Sequence, residues 1–204
     1  MTSKISTSIT FLMMLIFLGL ASGLYALPLS GTYSVGGAGA DFPSLQTALN
    51  QLNSEGQSAS VRFDLNAGTY EGPFLVSRPS SEHDLIITAY GDAEVNLVNP
   101  YSSSENNYIL KINNNSKILI SKLKFQPSGT YARCIAVHGN SDEIRFQNNV
   151  FQGAVANTSR NNEAISFFPD GSSDSDDISF ELNSFVGGGN HIYSYPNSSL
   201  TLLS

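Results

Sequence analysis

The longest apolar run in the chain comes first. Ile9 to Leu20 (ITFLMMLIFLGL) is an apolar run of 12 residues. Lys4 precedes it, and the small residues Ala21, Ser22, Gly23 and Ala26 follow. A membrane-spanning helix needs about 20 apolar residues, so the pattern predicts a signal peptide over residues 1–26 rather than a span. Cleavage after Gly23 or Ala26 would leave a secreted or cell-surface chain with no stable membrane span. A short uncleaved anchor is the alternative.

One stretch has helical periodicity. Leu45, Ala48, Leu49 and Leu52 recur at i, i+3, i+4 and i+7, a single apolar stripe. Pro43, preceded by Asp41 or Phe42, suits a first helical residue, and Gly56 suits a stop. The expected helix runs from about 43 to 53, after a Gly-rich lead over residues 31–40. From there on the period is two. Val61-Arg62-Phe63-Asp64-Leu65 alternates as a half-buried strand does. Residues 66–70 read as a turn. Short strands are expected at 74–76, 85–88 and 95–98, with a turn at Tyr90-Gly91-Asp92 between the last two.

Three later segments superimpose without a gap: Ile118 to Phe125 (ILISKLKF), Ile144 to Phe151 (IRFQNNVF) and Ile178 to Phe185 (ISFELNSF). Position one is always Ile. Position three is Ile120, Phe146 or Phe180, and position eight is Phe125, Phe151 or Phe185. Asn149 and Asn183 share position six. Each copy has a short strand upstream, at 108–112, 134–137 and 164–168. A fourth copy begins at His191-Ile192-Tyr193 and leads to Leu200-Thr201-Leu202. The copies are offset by 26 and then 34 residues, and the longer offset is assigned chiefly to Asp170–Asp177 (DGSSDSDD).

Short strands in coils of this length, with variable turns, predict an all-β fold: a right-handed parallel β-helix. Positions one, three and eight would point inward and stack from coil to coil. Asn at position six would take the left-handed turn conformation and bond its neighbour through its amide. A β-sandwich is the competing fold; the in-register Ile/Phe columns and the lack of hairpin signals weigh against it. The helix at 43–53 is expected to cap the N-terminal end. The chain stops part-way through the fourth repeat, which predicts that it is truncated at its C-terminus. The organisation expected is a signal peptide over 1–26, then one β-helix domain over 27–204 with coils from about residue 61.

Composition agrees with many tight turns. Ser and Asn together fill about a quarter of the chain, and charged residues only 13%. The 17 acidic residues against 10 basic ones give a net charge of −7, which argues against nucleic-acid binding. The single Cys134 excludes a disulfide framework and any multi-Cys zinc site. It reads as a buried core thiol.

Two segments carry a resemblance. Leu29 to Leu45 (LSGTYSVGGAGADFPSL) and Val61 to Tyr70 (VRFDLNAGTY) are similar to the opening of secreted pectin-lyase-like β-helix proteins of the Bacteroidetes type. The layout of a Gly-rich lead, a D-F-P helix, a strand and G-T-Y also resembles the start of pectinesterases. The resemblance implies the β-helix fold and a link to acidic polysaccharides. It brings no catalytic residue. The paired Asp, activating Gln and Arg of pectinesterases have no counterparts here. Of the polygalacturonase series only His138-Gly139 and Asp176-Asp177 occur, in the wrong order.

Candidate chemistry therefore comes from the register. Asp142 and Glu143 precede Ile144, and Asp176 and Asp177 precede Ile178. Stacked on neighbouring coils, these four carboxylates form a candidate Ca2+ site, to which Asp170 and Asp174 could add ligands. The resemblance implies that such calcium would hold uronate carboxylates. A solvated acidic turn is the plainer reading. Arg145, Lys122 and Lys124 are expected to face outward. Tyr108, Tyr131, Tyr193 and Tyr195, with Tyr101, lie at strand edges or turns, where an exposed row of rings could stack on sugars; packing at coil corners is the plainer alternative. The function expected is an exported, non-catalytic scaffold for adhesion or for binding polysaccharide or cell-surface glycan. The alternative is a polysaccharide-active enzyme of the lyase, esterase or hydrolase class.

Overall fold

The computed structural model describes residues 27–79, 82–100, 107–128, 133–153, 165–168, 175–187, 192–194 and 198–203. The predicted signal peptide lies outside these. Seventeen strands and one helix make up the described elements, and all strand pairing is parallel. The chain visits three sheets in turn. Sheet 1 stacks β1 (Leu29–Val35), β2 (Gln57–Leu65), β5 (Leu85–Ala89), β8 (Ile118–Ser121), β11 (Ile144–Gln147), β14 (Ser175–Glu181) and β17 (Ser198–Leu203). Sheet 2 stacks β3 (Gly68–Glu71), β6 (Val95–Asn99), β9 (Lys124–Pro127), β12 (Val150–Gln152) and β15 (Ser184–Val186). Sheet 3 stacks β4 (Phe74–Val76), β7 (Tyr108–Asn113), β10 (Arg133–His138), β13 (Ile165–Phe168) and β16 (Ile192–Ser194). One strand from each sheet makes one coil, which is a parallel β-helix.

The repeat positions stack as their sequence spacing requires. Ile144 pairs with Ile118 and Ile178, Phe146 with Ile120 and Phe180, and Ile178 with Leu200. In sheet 2, Phe151 pairs with Phe125 and Phe185. The rings stack in register: Phe125–Phe151 at 5.1 Å, Phe151–Phe185 at 5.2 Å and Phe146–Phe180 at 4.9 Å between centroids. Each such ring buried from water contributes roughly 1.5–3 kcal/mol. The core is thus a set of apolar columns along the solenoid axis.

Several expectations shift. The Gly-rich lead begins as strand β1, paired with β2, with Leu29 and Val35 buried. The solenoid therefore starts before the helix. Helix α1 (Leu45–Glu55) begins two residues later than expected, because Ser44 is its N-cap and its hydroxyl accepts from the Thr47 N–H. Gly56 ends it at φ 72°. Its stripe Leu45, Ala48, Leu49 and Leu52 is buried, and it packs on β1, β2 and β4 as the cap. Of residues 66–70, expected as a turn, 68–70 instead belong to β3 (Gly68–Glu71), because this stretch pairs with β6.

The left-handed residue is the fifth of the repeat, not the sixth: Lys122 (φ 58°), Asn148 (55°) and Leu182 (53°). The residue before position one is left-handed as well, at Lys117, Glu143 and Asp177. Position six turns its amide inward instead. Finally, Ile165 aligns with Ile135. Ile118 to Ile135 and Ile144 to Ile165 differ by four residues, and so do Ile135 to Ile144 and Ile165 to Ile178. The longer coil thus gains length equally on both arcs, rather than chiefly at 170–177.

Candidate functional site

The outer face of sheet 1 carries a concavity of about 320 Å³ across β5, β8, β11 and β14. Its geometry follows from the strand period. In β5, Leu85 and Ile87 face the core, so Ile86 faces out; in β8, Ile118 and Ile120 face the core, so Leu119 faces out. Register places Ile86 beside Leu119, Leu119 beside Arg145, and Arg145 beside Ser179. Ile86 and Leu119 are half-buried and form an aliphatic floor, while Arg145 is exposed.

Charged and amide side chains flank this floor. Asp84, Lys117 and Glu143 precede the strands on one side, and Gln147 and Glu181 lie on the other. The Gln147 amide donates to the Glu181 carboxylate at 3.1 Å, and the Lys117 ammonium donates to the Glu82 carbonyl at 3.3 Å. At the N-terminal end of the same face Arg62 pairs with Asp64 at 2.7 Å. No residue bonds to the Arg145 guanidinium among those described. The floor, the fork of Arg145 and the amide of Gln147 present apolar and hydrogen-bonding groups to one face.

Asp142–Glu143 and Asp176–Asp177 lead into Ile144 and Ile178, which pair in register on β11 and β14. The N–H groups of Lys117 and Ile118 donate to the carbonyls of Asp142 and Glu143, so the turns of adjacent coils are joined by backbone bonds. Glu143 and Asp177 are exposed and left-handed, and Asp142 is half-buried. Asp176 lies in β14, but its side chain is outside the described residues, as are Asp170 and Asp174. Among the described residues no three carboxylates, imidazoles or thiols come together as metal ligands.

The tyrosines do not share a column in what is described. Tyr108 is half-buried on β7, where burial raises its hydroxyl above the usual range, and it pairs in register with Arg133. Tyr193 pairs with Ser166 in a different column, and its side chain is outside the described residues. Tyr101, Tyr131 and Tyr195 are outside them too. Cys134 is fully buried, its thiol pushed up by desolvation.

The floor residues Ile86 and Leu119 are absent from the site expected from sequence. Their signal was a break in alternation. LIIT and ILIS keep an apolar residue at the second, outward position, where VRFDL and IRFQ carry Arg.

No protein-family model matches the chain, and neither does any curated protein sequence. Among solved structures it is similar to the crystal structure of the pectin methylesterase from Aspergillus niger in deglycosylated form. Identity is 12%, 85% of this chain and 86% of that chain are covered, and the TM-score is 0.33. Among the described residues no helix is long and apolar enough to cross a membrane.

Proposed function

We propose that this chain is an exported, non-catalytic β-helix scaffold whose sheet 1 groove holds a polysaccharide chain. The observation that carries the reading is the outward Ile86–Leu119 floor beside the Arg145 fork, unpaired among the described residues, and the amide of Gln147. A sugar ring offers an apolar face and a rim of hydroxyls, and it is held by apolar surface with a few placed hydrogen-bonding groups. Successive coils rise by about 4.8 Å, so an extended polymer lying along the axis meets similar contacts at each rung. The apolar run in residues 1–26 supports export to the cell exterior, where adhesion through such a surface would operate.

The test combines binding with turnover. The full chain is applied to an array of plant and bacterial glycans, including pectins. Release of methanol, reducing ends and unsaturated uronate is followed in parallel. Binding that Arg145→Ala and Leu119→Asp each abolish, with no product formed, supports the reading. Product formation would replace the scaffold with a polysaccharide-active enzyme. Absence of binding to every glycan would remove the polysaccharide altogether.

A further inference from the structure

Three strand edges open the solenoid, because β1, β3 and β4 are the first strands of sheets 1, 2 and 3. An unpaired edge is a template for another strand, and proteins usually blunt it. Two of these three edges are blunted. On β1, the Ser34 N–H donates to the Asp41 carboxylate at 2.7 Å, its carbonyl accepts from Phe42 N–H at 3.1 Å, and the Ser30 N–H donates to the Tyr33 hydroxyl at 3.1 Å. On β4, the Asn53 carboxamide from α1 takes the place of a strand. It donates to the Leu75 carbonyl and accepts from the Ser77 N–H, both at 2.8 Å.

Among the described residues the β3 edge is open. The Gly68 N–H donates to the Glu94 carbonyl at 3.0 Å and the Gly72 N–H to the Val98 carbonyl at 2.8 Å. In a parallel ladder alternate residues bond to the same neighbour, so Gly68, Tyr70 and Gly72 face β6. Thr69 and Glu71 therefore aim their N–H and C=O groups away from it. Among the described residues nothing bonds to those groups. Gly68, Thr69 and Glu71 are exposed. Beside the edge lies a hollow of about 260 Å³ whose walls include Gly36, Pro43, Leu45, Tyr70 and Phe74.

Charge selects the occupant. Glu71 lies on the strand, and Asp92 and Glu94 lie in the turn leading to its neighbour β6. A second copy of this chain would bring the same acids and a net charge of −7 to the contact. A basic segment meets them with opposite sign.

We propose that the β3 edge docks an extended basic peptide segment of another protein as an added strand. The main chain of that segment pairs with Thr69 and Glu71. One apolar side chain enters the hollow, and alternate Lys or Arg side chains lie beside Glu71. Recognition of this kind takes affinity from main-chain bonds and specificity from alternate side chains.

The probe is acetyl-Lys-Val-Lys-Val-Lys-amide, titrated into the 15N-labelled full chain. The expected result is saturable binding, with shifts and slowed hydrogen exchange at the Thr69 and Glu71 amides. Methylating the probe's pairing nitrogens should weaken binding about tenfold, the scale of one or two lost hydrogen bonds. Glu71→Lys should weaken it about threefold, as expected for an exposed ion pair. Thr69→Pro removes an outward N–H without touching the ladder to β6, so the variant folds and loses the probe. Shifts that map elsewhere, binding indifferent to methylation, or no binding at millimolar probe would each overturn the proposal. So would concentration-dependent dimerisation lost in Thr69→Pro, which would give the edge to a second copy.

Discussion

The side chains of Asn149 and Asn183 are stacked one coil apart, the Asn149 Nδ2 donating to the Asn183 Oδ1 at 3.0 Å. Each amide also serves the backbone of the coil before it. Asn149 donates to the Ile120 carbonyl at 2.9 Å and accepts from the Leu123 N–H at 3.1 Å; Asn183 donates to the Phe146 carbonyl at 2.8 Å and accepts from the Asn149 N–H at 2.9 Å. The corner between sheets 1 and 2 is therefore satisfied by side chains where no strand can do it. Replacing the almost fully buried Asn149 by Ala leaves a buried carbonyl and an N–H without partners. The expected loss is about 2–3 kcal/mol, read as a lower urea midpoint, and Asn183→Ala should lose less because it is half-buried.

Leu182 holds φ 53° while 60% exposed, so its side chain gains little there. A left-handed non-Gly residue costs roughly 1–2 kcal/mol, part of which glycine gives back as greater freedom in the unfolded chain. Leu182→Gly should stabilise by about 0.5–1 kcal/mol. Asn148→Gly should gain less, since Asn tolerates this conformation. Equilibrium denaturation of both variants ranks them, and equal or reversed gains would contradict the account.

Arg78 is 4% exposed at the corner between sheets 3 and 1. It donates to Gln57, Asn115, the His83 carbonyl at 2.8 Å and the Ser116 carbonyl. Desolvation lowers its pKa to about 10, with Asp84 opposing the shift. Arg78→Met keeps much of the volume and removes every donor. It should destabilise by about 3 kcal/mol, a large part of a typical domain's total stability. Thermal melts of the variant provide the check.

Asp41 is held below its ordinary value of 3.8 first by the Ser34 side-chain bond and then by the Ser34 backbone bond. A depressed carboxyl stabilises the fold above its unfolded pKa. The contribution fades as pH falls from 3.8 through the lower folded value. Asp41→Asn should flatten the stability profile in that acid window and leave its slope near neutral pH unchanged. A wild-type slope below pH 4 in the variant would rule this out.

Burial pushes the Cys134 thiol up, and it makes only weak contacts with the Gln152 carbonyl at 3.7 Å and the Phe125 carbonyl at 4.0 Å. The thiolate is the reactive form. An aromatic disulfide reagent should label Cys134 at the rate of unfolding, and labelling in urea should follow the unfolding transition.

The solenoid was legible in the sequence because its core is written in one column per position. Ile118, Ile144 and Ile178 need no tertiary context to be recognised as equivalent. Strands β1 and β3 were harder to see. Gly31, Gly36 and Gly68 punctuate them, and strand content there comes from pairing with β2 and β6, which a local reading does not contain. The groove was missed for a related reason. Ile86 and Leu119 look like core residues in a run of aliphatics, and only the register shows that they face outward side by side. The acidic turns were visible as charge, but their side-chain directions depend on two left-handed residues, Glu143 and Asp177, at positions where no glycine marks the bend.

The unequal coils have an engineering consequence. Four residues enter on each arc between Ile144 and Ile178, yet Ile144, Phe146 and Phe151 keep step with Ile178, Phe180 and Phe185. Corner length and core phase are thus separate variables. A change of corner length that keeps Ile165 level with Ile135 should therefore leave the stacking of Phe146 on Phe180 and of Phe151 on Phe185 unchanged.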